Sequence, residues 1–454
     1  MNVTGLNSIE KRASLSLATV FGMRMIGLFM ILPVFAIYGV GLEGYSPIWL
    51  GLAIGAYGFT QALLQIPMGI LSDKFGRKPV IISGLIIFCL GSIIAAVADS
   101  VYMVVIGRAI QGMGAIASAT LALAADLSRE EQRPKVMATI GMFIGLSFAA
   151  AMVLGPLVAA SYGLSGLFFL TAIFAFVGIF IVLFIVPNSI NTAPKGDLVA
   201  APKRVKQLIK DGNLFRLNLG VFILHLALTA MFVSLPIMLT KTGFAIGEHW
   251  RLYLPVLLIS FALMVPFMIW AIKKQKEKLV FCGAIILLAL SLLLLWLKHD
   301  SFYVIFTAVM LFFVAFNYLE ATMPSTLSKI APAGDKGSAM GVYSSSQFFG
   351  AFVGGLAGGA IQSAFGLASV FLFSALLILV WYVFALSMKE VKRSKSISFS
   401  VNFNDEQHAK LLADKLADMA GIVESTIVYS ESVAYLKIDE KQIDMDKLRA
   451  LLAN

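Results

Sequence analysis

The sequence predicts an all-α membrane protein of twelve transmembrane helices in two pseudo-symmetric six-helix halves, followed by a small α+β domain. Three observations carry this expectation: composition, recurring apolar runs and an internal repeat. Hydrophobic residues fill 59% of the 454 positions and charged residues 13%, against about 45–50% and about 25% in ordinary soluble domains. Apolar runs recur from Ala13 to Met388, each close to the roughly 20 residues a helix needs to cross hydrocarbon. Backbone groups in lipid must be satisfied within their own segment, and the runs are too long and continuous for barrel strands.

Hydropathy and breakers place the first six spans near 14–40, 48–72, 79–98, 101–127, 135–161 and 165–187. The second six fall near 214–240, 250–273, 278–297, 302–329, 337–365 and 367–388. The chain then divides into an N-terminal half (1–187), a cytoplasmic linker (188–213), a C-terminal half (214–388), a basic linker (389–395) and a soluble domain (396–454). Lys11 and Arg12 precede the first run, but it continues to Tyr38 without a small-residue cleavage site and reads as a helix, not a signal peptide. Cys89 and Cys282 sit in spans of different halves, so no disulfide framework is expected.

Sliding the second half back by 203 positions puts Phe232, Leu235 and Pro236 on Phe29, Leu32 and Pro33, Lys336 and Met340 on Arg133 and Met137, and Gly358 on Gly155. One offset serving six spans argues for two parallel halves related by an axis along the membrane normal. In the linker, Val205, Leu208 and Ile209 among lysines read as a short interfacial helix.

Basic residues favour the cytoplasmic side. With both termini cytoplasmic, 24 of the 35 Lys and Arg fall in cytoplasmic segments and only Lys241, Arg251 and Lys298 in external ones. That asymmetry accounts for the net charge of +10 without nucleic acid and places the chain, multi-pass, in the cell inner membrane.

Between spans 2 and 3 stands Gly69-Ile-Leu-Ser-Asp73-Lys-Phe-Gly76-Arg77-Lys78-Pro79. Gly69 allows close helix contact, Gly76 a tight reversal, and Pro79 suits a first helical turn. This segment resembles the cytoplasmic signature of the major facilitator superfamily. Arg108-Ala-Ile-Gln111-Gly112 resembles that family's conserved-arginine motif, and Gly155-Pro156 its Gly-Pro helix-packing motif. The layout is similar to the drug:proton antiporter branch. The resemblance implies a conformational latch in which Asp73 holds the outward-facing state against the start of helix 11, with Arg77 bridging to Asp126. It also associates Arg108 with proton coupling. The second-half counterpart, Ile272-Lys-Lys-Gln-Lys276-Glu-Lys278, keeps the basic charge without the acid or the glycines, so one working latch is expected.

Ionisable groups at bilayer depth cost about 2.5–3.5 kcal/mol on insertion scales and are functional candidates by default. Arg24 lies near the expected midplane, either lining a substrate cavity or holding a carbonyl or carboxylate. Arg108 sits near the external end of its span, within reach of the interface by snorkelling. Glu320 is the one carboxylate deep in a predicted span and the expected proton carrier. Asn317 is three residues away on the same face, and Pro324 leaves the Glu320 carbonyl without its helical partner. His225 is the second titratable candidate, with hydrogen-bonded packing as the plainer reading. Gly51/Gly55, Gly141/Gly145 and Gly350/Gly354/Gly358 read as helix-packing seams.

From Ser396 the charge balance reverses to ten acidic and six basic residues. Ile397, Phe399, Val401 and Phe403 alternate with polar residues as a strand, Asn404 or Asp405 can cap a helix to about Ala420, and 422–429, 432–439 and 440–453 read as two strands and a helix. The order βαββα resembles a ferredoxin-like domain lacking its last strand. Its expected role is regulatory, docking on the cytoplasmic face or binding a regulator, with a solubilising appendage as the alternative. His408 stands without cysteines, so no metal is expected, and no cofactor.

No phosphate loop or catalytic constellation occurs, so the expected activity is proton-coupled secondary transport, not enzymatic chemistry. The partners are membrane lipids, protons and a small amphipathic substrate for export. Uptake of a specific anionic metabolite and a non-transporting membrane sensor are the competing readings.

Overall fold

The Asn7 side chain accepts a hydrogen bond from the Glu10 backbone N–H and the Glu10 carboxylate accepts one from the Asn7 backbone N–H, a capping box that starts α1 (Ser8–Phe29) earlier than hydropathy alone suggests. The computed structural model describes residues 5–129, 132–188, 207–332, 334–388, 395–401, 406–429, 432–439 and 442–453. The span expected at 14–40 is not one helix. It breaks ahead of Pro33, which cannot donate to a helical ladder, and resumes as the single turn Phe35–Tyr38.

Helices α2 (Pro47–Phe75) and α3 (Arg77–Ala96) are separated by Gly76 alone, whose φ of 93° makes the reversal. The span expected at 101–127 is interrupted as well, giving α4 (Val101–Met113) and α5 (Ala117–Asp126). Glycines cause the break by pressing backbones together: a Cβ on Gly112 would overlap the Tyr57 carbonyl, and one on Gly114 that of Gly84. The spans expected at 135–161 and 165–187 run together from Arg133 to Phe180 (α6), two helices divided at Gly163, whose φ of 65° and ψ of −165° are not helical, and the second ends in the π-turn Ile181–Ile185.

In the second half, α7 (Gly212–Lys241), α8 (Trp250–Lys274), α9 (Glu277–Leu297), α10 (Phe302–Ile330), α11 (Lys336–Phe365) and α12 (Ser369–Leu386) lie within a few residues of expectation. Ten helices among the described residues are long and apolar enough to cross a membrane. The 203-residue repeat reappears in packing. Gly155 faces Met30 and Pro33 at the break after α1, and Gly358 faces Ala230 and Val233, the positions equivalent to Gly27 and Met30.

The halves meet along α2 and α11. A Cβ on Gly51 would overlap the Gly355 carbonyl, one on Gly355 the Gly51 carbonyl, and one on Gly359 the Pro47 carbonyl. Towards mid-helix, Ser345 Oγ donates to the Ala62 carbonyl at 2.9 Å. Gly350 and Gly354 turn instead to Phe222 and Leu226 of α7, so α11 packs through two faces. Gly141 and Gly145 do not form a seam: nothing lies within 4 Å of a Cβ on Gly141, and Gly145 meets only the Phe261 ring at 3.8 Å. The close contacts between α2 and α11 thus run from the Pro47 end to Ala62.

The C-terminal domain runs β1 (Lys395–Ser400), α13 (Glu406–Ala417), β2 (Ile422–Val428), β3 (Val433–Ile438) and α14 (Met445–Ala453). Its antiparallel sheet has the order β1-β3-β2. Ala434, Leu436 and Ile438 of the central strand pack with Leu412, Leu416 and Leu448 of the helices. The opposite face, Val433, Tyr435 and Lys437, is also buried. There Gly334 lies against the Tyr435 ring and Lys437 Nζ donates to the Ile330 carbonyl at 3.3 Å, so β3 rests on the α10–α11 turn. Leu208 is buried and Ile209 exposed. Val205, most of the basic linker, Phe403 and the cap expected at Asn404 or Asp405 lie outside the described residues.

Candidate functional site

Three polar clusters interrupt the apolar interior. The first lies at the α2–α3 turn. Arg77 Nη1 is 2.5 Å from Asp73 and 2.7 Å from Ser72 Oγ, while its Nε is 3.2 Å from Asp126 at the end of α5. Lys78 Nζ donates to the Val186 carbonyl at 2.6 Å, and Gly69 lies beside Ser118. Arg12 donates to the Ile185 and Phe184 carbonyls, so two cations cap the end of α6. A fourth tie was not singled out from sequence. The buried Glu10 carboxylate accepts from Arg129 Nε at 2.8 Å, Nη2 at 2.9 Å and backbone N at 3.0 Å. The Arg129 side chain is the main cause of a Glu10 pKa lowered to about 2. The spacing Asn7-x-x-Glu10 was the available signal, since a capping glutamate has a second oxygen to offer.

The second cluster is cationic and lies inside the first half. Arg24 Nη2 donates to Tyr57 OH at 2.6 Å, Gln61 Oε1 at 2.7 Å and the Gly114 carbonyl at 2.9 Å, the last freed by the α4–α5 break. Its guanidinium lies 5.5 Å from the Phe88 ring centroid, and its Nε and Nη1 have no hydrogen-bond partner among the described residues. Arg108 does not snorkel to the interface. It is 1% exposed, bonds Gln111 Oε1 at 2.9 Å and stacks on Tyr57 at 5.1 Å. No carboxylate pairs with either arginine among the described residues. The stripe Tyr57, Gln61, Gln65, one turn apart on α2, was the missed sequence signal.

The third cluster joins three helices of the second half. Gln347 Nε2 on α11 lies 2.7 Å from His225 Nε2 on α7 and 3.1 Å from Glu320 Oε1 on α10. His225 Nδ1 lies 3.2 Å from the Val221 carbonyl. The consistent assignment is a neutral imidazole that donates from Nδ1 and accepts at Nε2, with the amide donating both its protons. Glu320 Oε2 lies 3.7 Å from His225 Nε2, and the Glu320 side chain is 36% exposed although it sits mid-helix. Asn317 does not join this cluster. Its Nδ2 donates to Ser260 Oγ on α8 at 2.9 Å, because three residues along a helix swing it away from His225. Gln347, in the polar run Ser344-Ser345-Ser346-Gln347 of an otherwise apolar span, is the residue sequence reading missed.

A two-half helical frame with titratable groups inside its spans is the architecture of a secondary transporter. Residues 16–319 and 256–413 match the family model described as Major Facilitator Superfamily, and the chain belongs to that family of membrane transporters. It is 44% identical over 441 residues to the inner membrane transport protein YajR of Escherichia coli, covering 97% of each chain. It is 24% identical over 347 residues to the multidrug resistance protein MdtH of Proteus mirabilis, 74% of this chain and 83% of that one. Among solved structures, an inward-facing, occupied bacterial homolog of the human lysosomal transporter Spinster superposes with a TM-score of 0.68 at 14% identity, over 86% of this chain and 98% of that one. The last likeness concerns the fold.

Proposed function

We propose that the chain is a proton-coupled antiporter of the bacterial inner membrane that exports small amphipathic compounds by alternating access. The Glu320–Gln347–His225 cluster carries this reading. With Glu320 ionised, Gln347 donates to both neighbours. Protonated at Oε2, Glu320 gains a donor 3.7 Å from His225 Nε2 that competes with Gln347 for that nitrogen, and the rearrangement is transmitted to α11. The other face of α11 forms the Gly355 seam with α2, so proton loading is linked to the contact that holds one end of the halves closed. Twelve spans follow if α1 is counted and α6 is divided at Gly163. Both termini then lie in the cytoplasm, on the same side as the Asp73 end. Asp73, Arg77 and Asp126 serve as the latch of the alternate state, and the ferredoxin-like domain regulates from the α10–α11 turn. The 24% identity to a multidrug resistance protein supports export.

One observation favours a second reading. Arg24 is a buried cation with two nitrogens that have no hydrogen-bond partner among the described residues, a suitable site for the anionic group of a metabolite taken up by the cell. Internal pH in proteoliposomes, followed while lipophilic cations, neutral drugs and organic anions are applied, tests both. Substrate-dependent proton movement with amphipathic cations, lost in Glu320→Gln, is expected. Flux of anions alone, unaffected by Glu320→Gln, overturns the antiport reading.

A further inference from the structure

The α8–α9 turn keeps the basic charge of its first-half counterpart but none of its acid or glycines, and the transport reading gives it no task. Its reversal is made by Gln275 in the left-handed conformation at φ 57°, whereas the other half uses Gly76 at φ 93°. The turn borders a cavity of about 550 Å³ that α10 lines with Thr322, Ser325 and Thr326. Lys276, Lys278 and Lys329 stand around it, and the single acid present, Glu277, is 3.9 Å from Lys329. Lys273 and Lys274 close α8 beside them. Among the described residues, none of Lys273, Lys274, Lys276 or Lys278 has an ion pair. Ile272 and Leu279 line its rim and, with the neighbouring Ile269, present exposed apolar side chains.

We propose that this cavity seats the headgroup of an anionic phospholipid, its acyl chains running along Ile269, Ile272 and Leu279. Ammonium groups and hydroxyls gathered over an electrically unbalanced cavity suit a phosphate, and the adjoining apolar strip suits what a phospholipid carries and free phosphate lacks. The site lies behind the proton cluster: Thr322 and Glu320 differ by two residues, about 200° around α10, so the lipid packs on the back of the helix that bears Glu320. The proposal does not depend on the direction or coupling of transport.

Native mass spectrometry of the purified full chain, titrated separately with phosphatidylglycerol and phosphatidylcholine, tests it. Wild type should retain at least one phosphatidylglycerol under conditions that strip phosphatidylcholine. Lys276→Gln/Lys278→Gln/Lys329→Gln should bind it about a hundredfold more weakly, about fivefold for each charge lost. Replacing the same lysines with arginine should preserve retention. Should the glutamine variant fail to fold, the wild type still decides, because millimolar inorganic phosphate should leave the lipid bound. Equal retention of both lipids, unchanged retention in a folded glutamine variant, or displacement by inorganic phosphate overturns the proposal.

Discussion

Replacing Gly355 with valine should drive the transporter away from the conformation described. The backbones of α2 and α11 touch at this point: a Cβ on Gly355 overlaps the Gly51 carbonyl, and one on Gly51 overlaps the Gly355 carbonyl. Both obstructing atoms are main chain, with no rotamer to yield. Overpacking of this kind costs about 1–3 kcal/mol. A state in which the Pro47 end of the seam has parted escapes that cost, so the balance between states should move by about 5- to 150-fold. Spin labels at Val40→Cys and Tyr303→Cys, exposed positions on opposite halves, read the shift in a background lacking Cys89 and Cys282. The expected result is a larger long-distance population in Gly355→Val, whereas Gly141→Ala, with open space around it, should leave the distribution unchanged. An unaltered distribution in a well-folded Gly355→Val protein would refute the idea that this seam holds the halves together.

The ties at the ends of the first half give two further expectations. Glu10 has a pKa lowered from 4.5 to about 2. Its stabilisation is therefore complete above about pH 4.5 and drains away as pH falls towards 2. The shift corresponds to about 2–3 kcal/mol near neutrality once the partly exposed Arg129 is discounted for screening. Thermal melts in detergent should show Arg129→Gln destabilised at pH 7, with the gap to wild type narrowing as the buffer approaches pH 3; a constant gap contradicts the assignment. Asp126→Asn leaves the buried Arg77 with Asp73 as its remaining acid and should cost about 3 kcal/mol. Asp126→Asn melting at the wild-type temperature would show that Asp73 alone satisfies the guanidinium.

Long apolar runs made the helical architecture legible because each window outvotes its own local breakers. The division at Gly163 was legible too, between the spans expected at 135–161 and 165–187, whereas the breaks after Phe29 and Met113 were not: Pro33 offered a local signal for the first, but both pack against glycines distant in the chain, Gly155 and Gly84. Charges were legible as rare events in hydrocarbon, which is why Arg24, Arg108, His225 and Glu320 all stood out. Their neutral partners did not. Gln347, Gln61 and Tyr57 cost little to insert and give no compositional alarm, yet they decide which charged group meets which. Asn317 shows the converse error, where nearness in sequence suggested a shared site and helical rotation assigned it to Ser260.

Resting β3 on the α10–α11 turn has a consequence for whatever else the C-terminal domain binds. Val433, Tyr435 and Lys437 make up the sheet face that the domain's own helices leave uncovered, and Ile330 and Gly334 already occupy it. A visitor to that face must evict the turn first, so arrival and undocking are one event with one equilibrium constant. The turn is itself the joint between α10 and α11, the helices that carry Glu320 and Gln347. Under the alternating access proposed above, any shift between those two helices would change how firmly the sheet is seated, and with it the access of a visitor to that face.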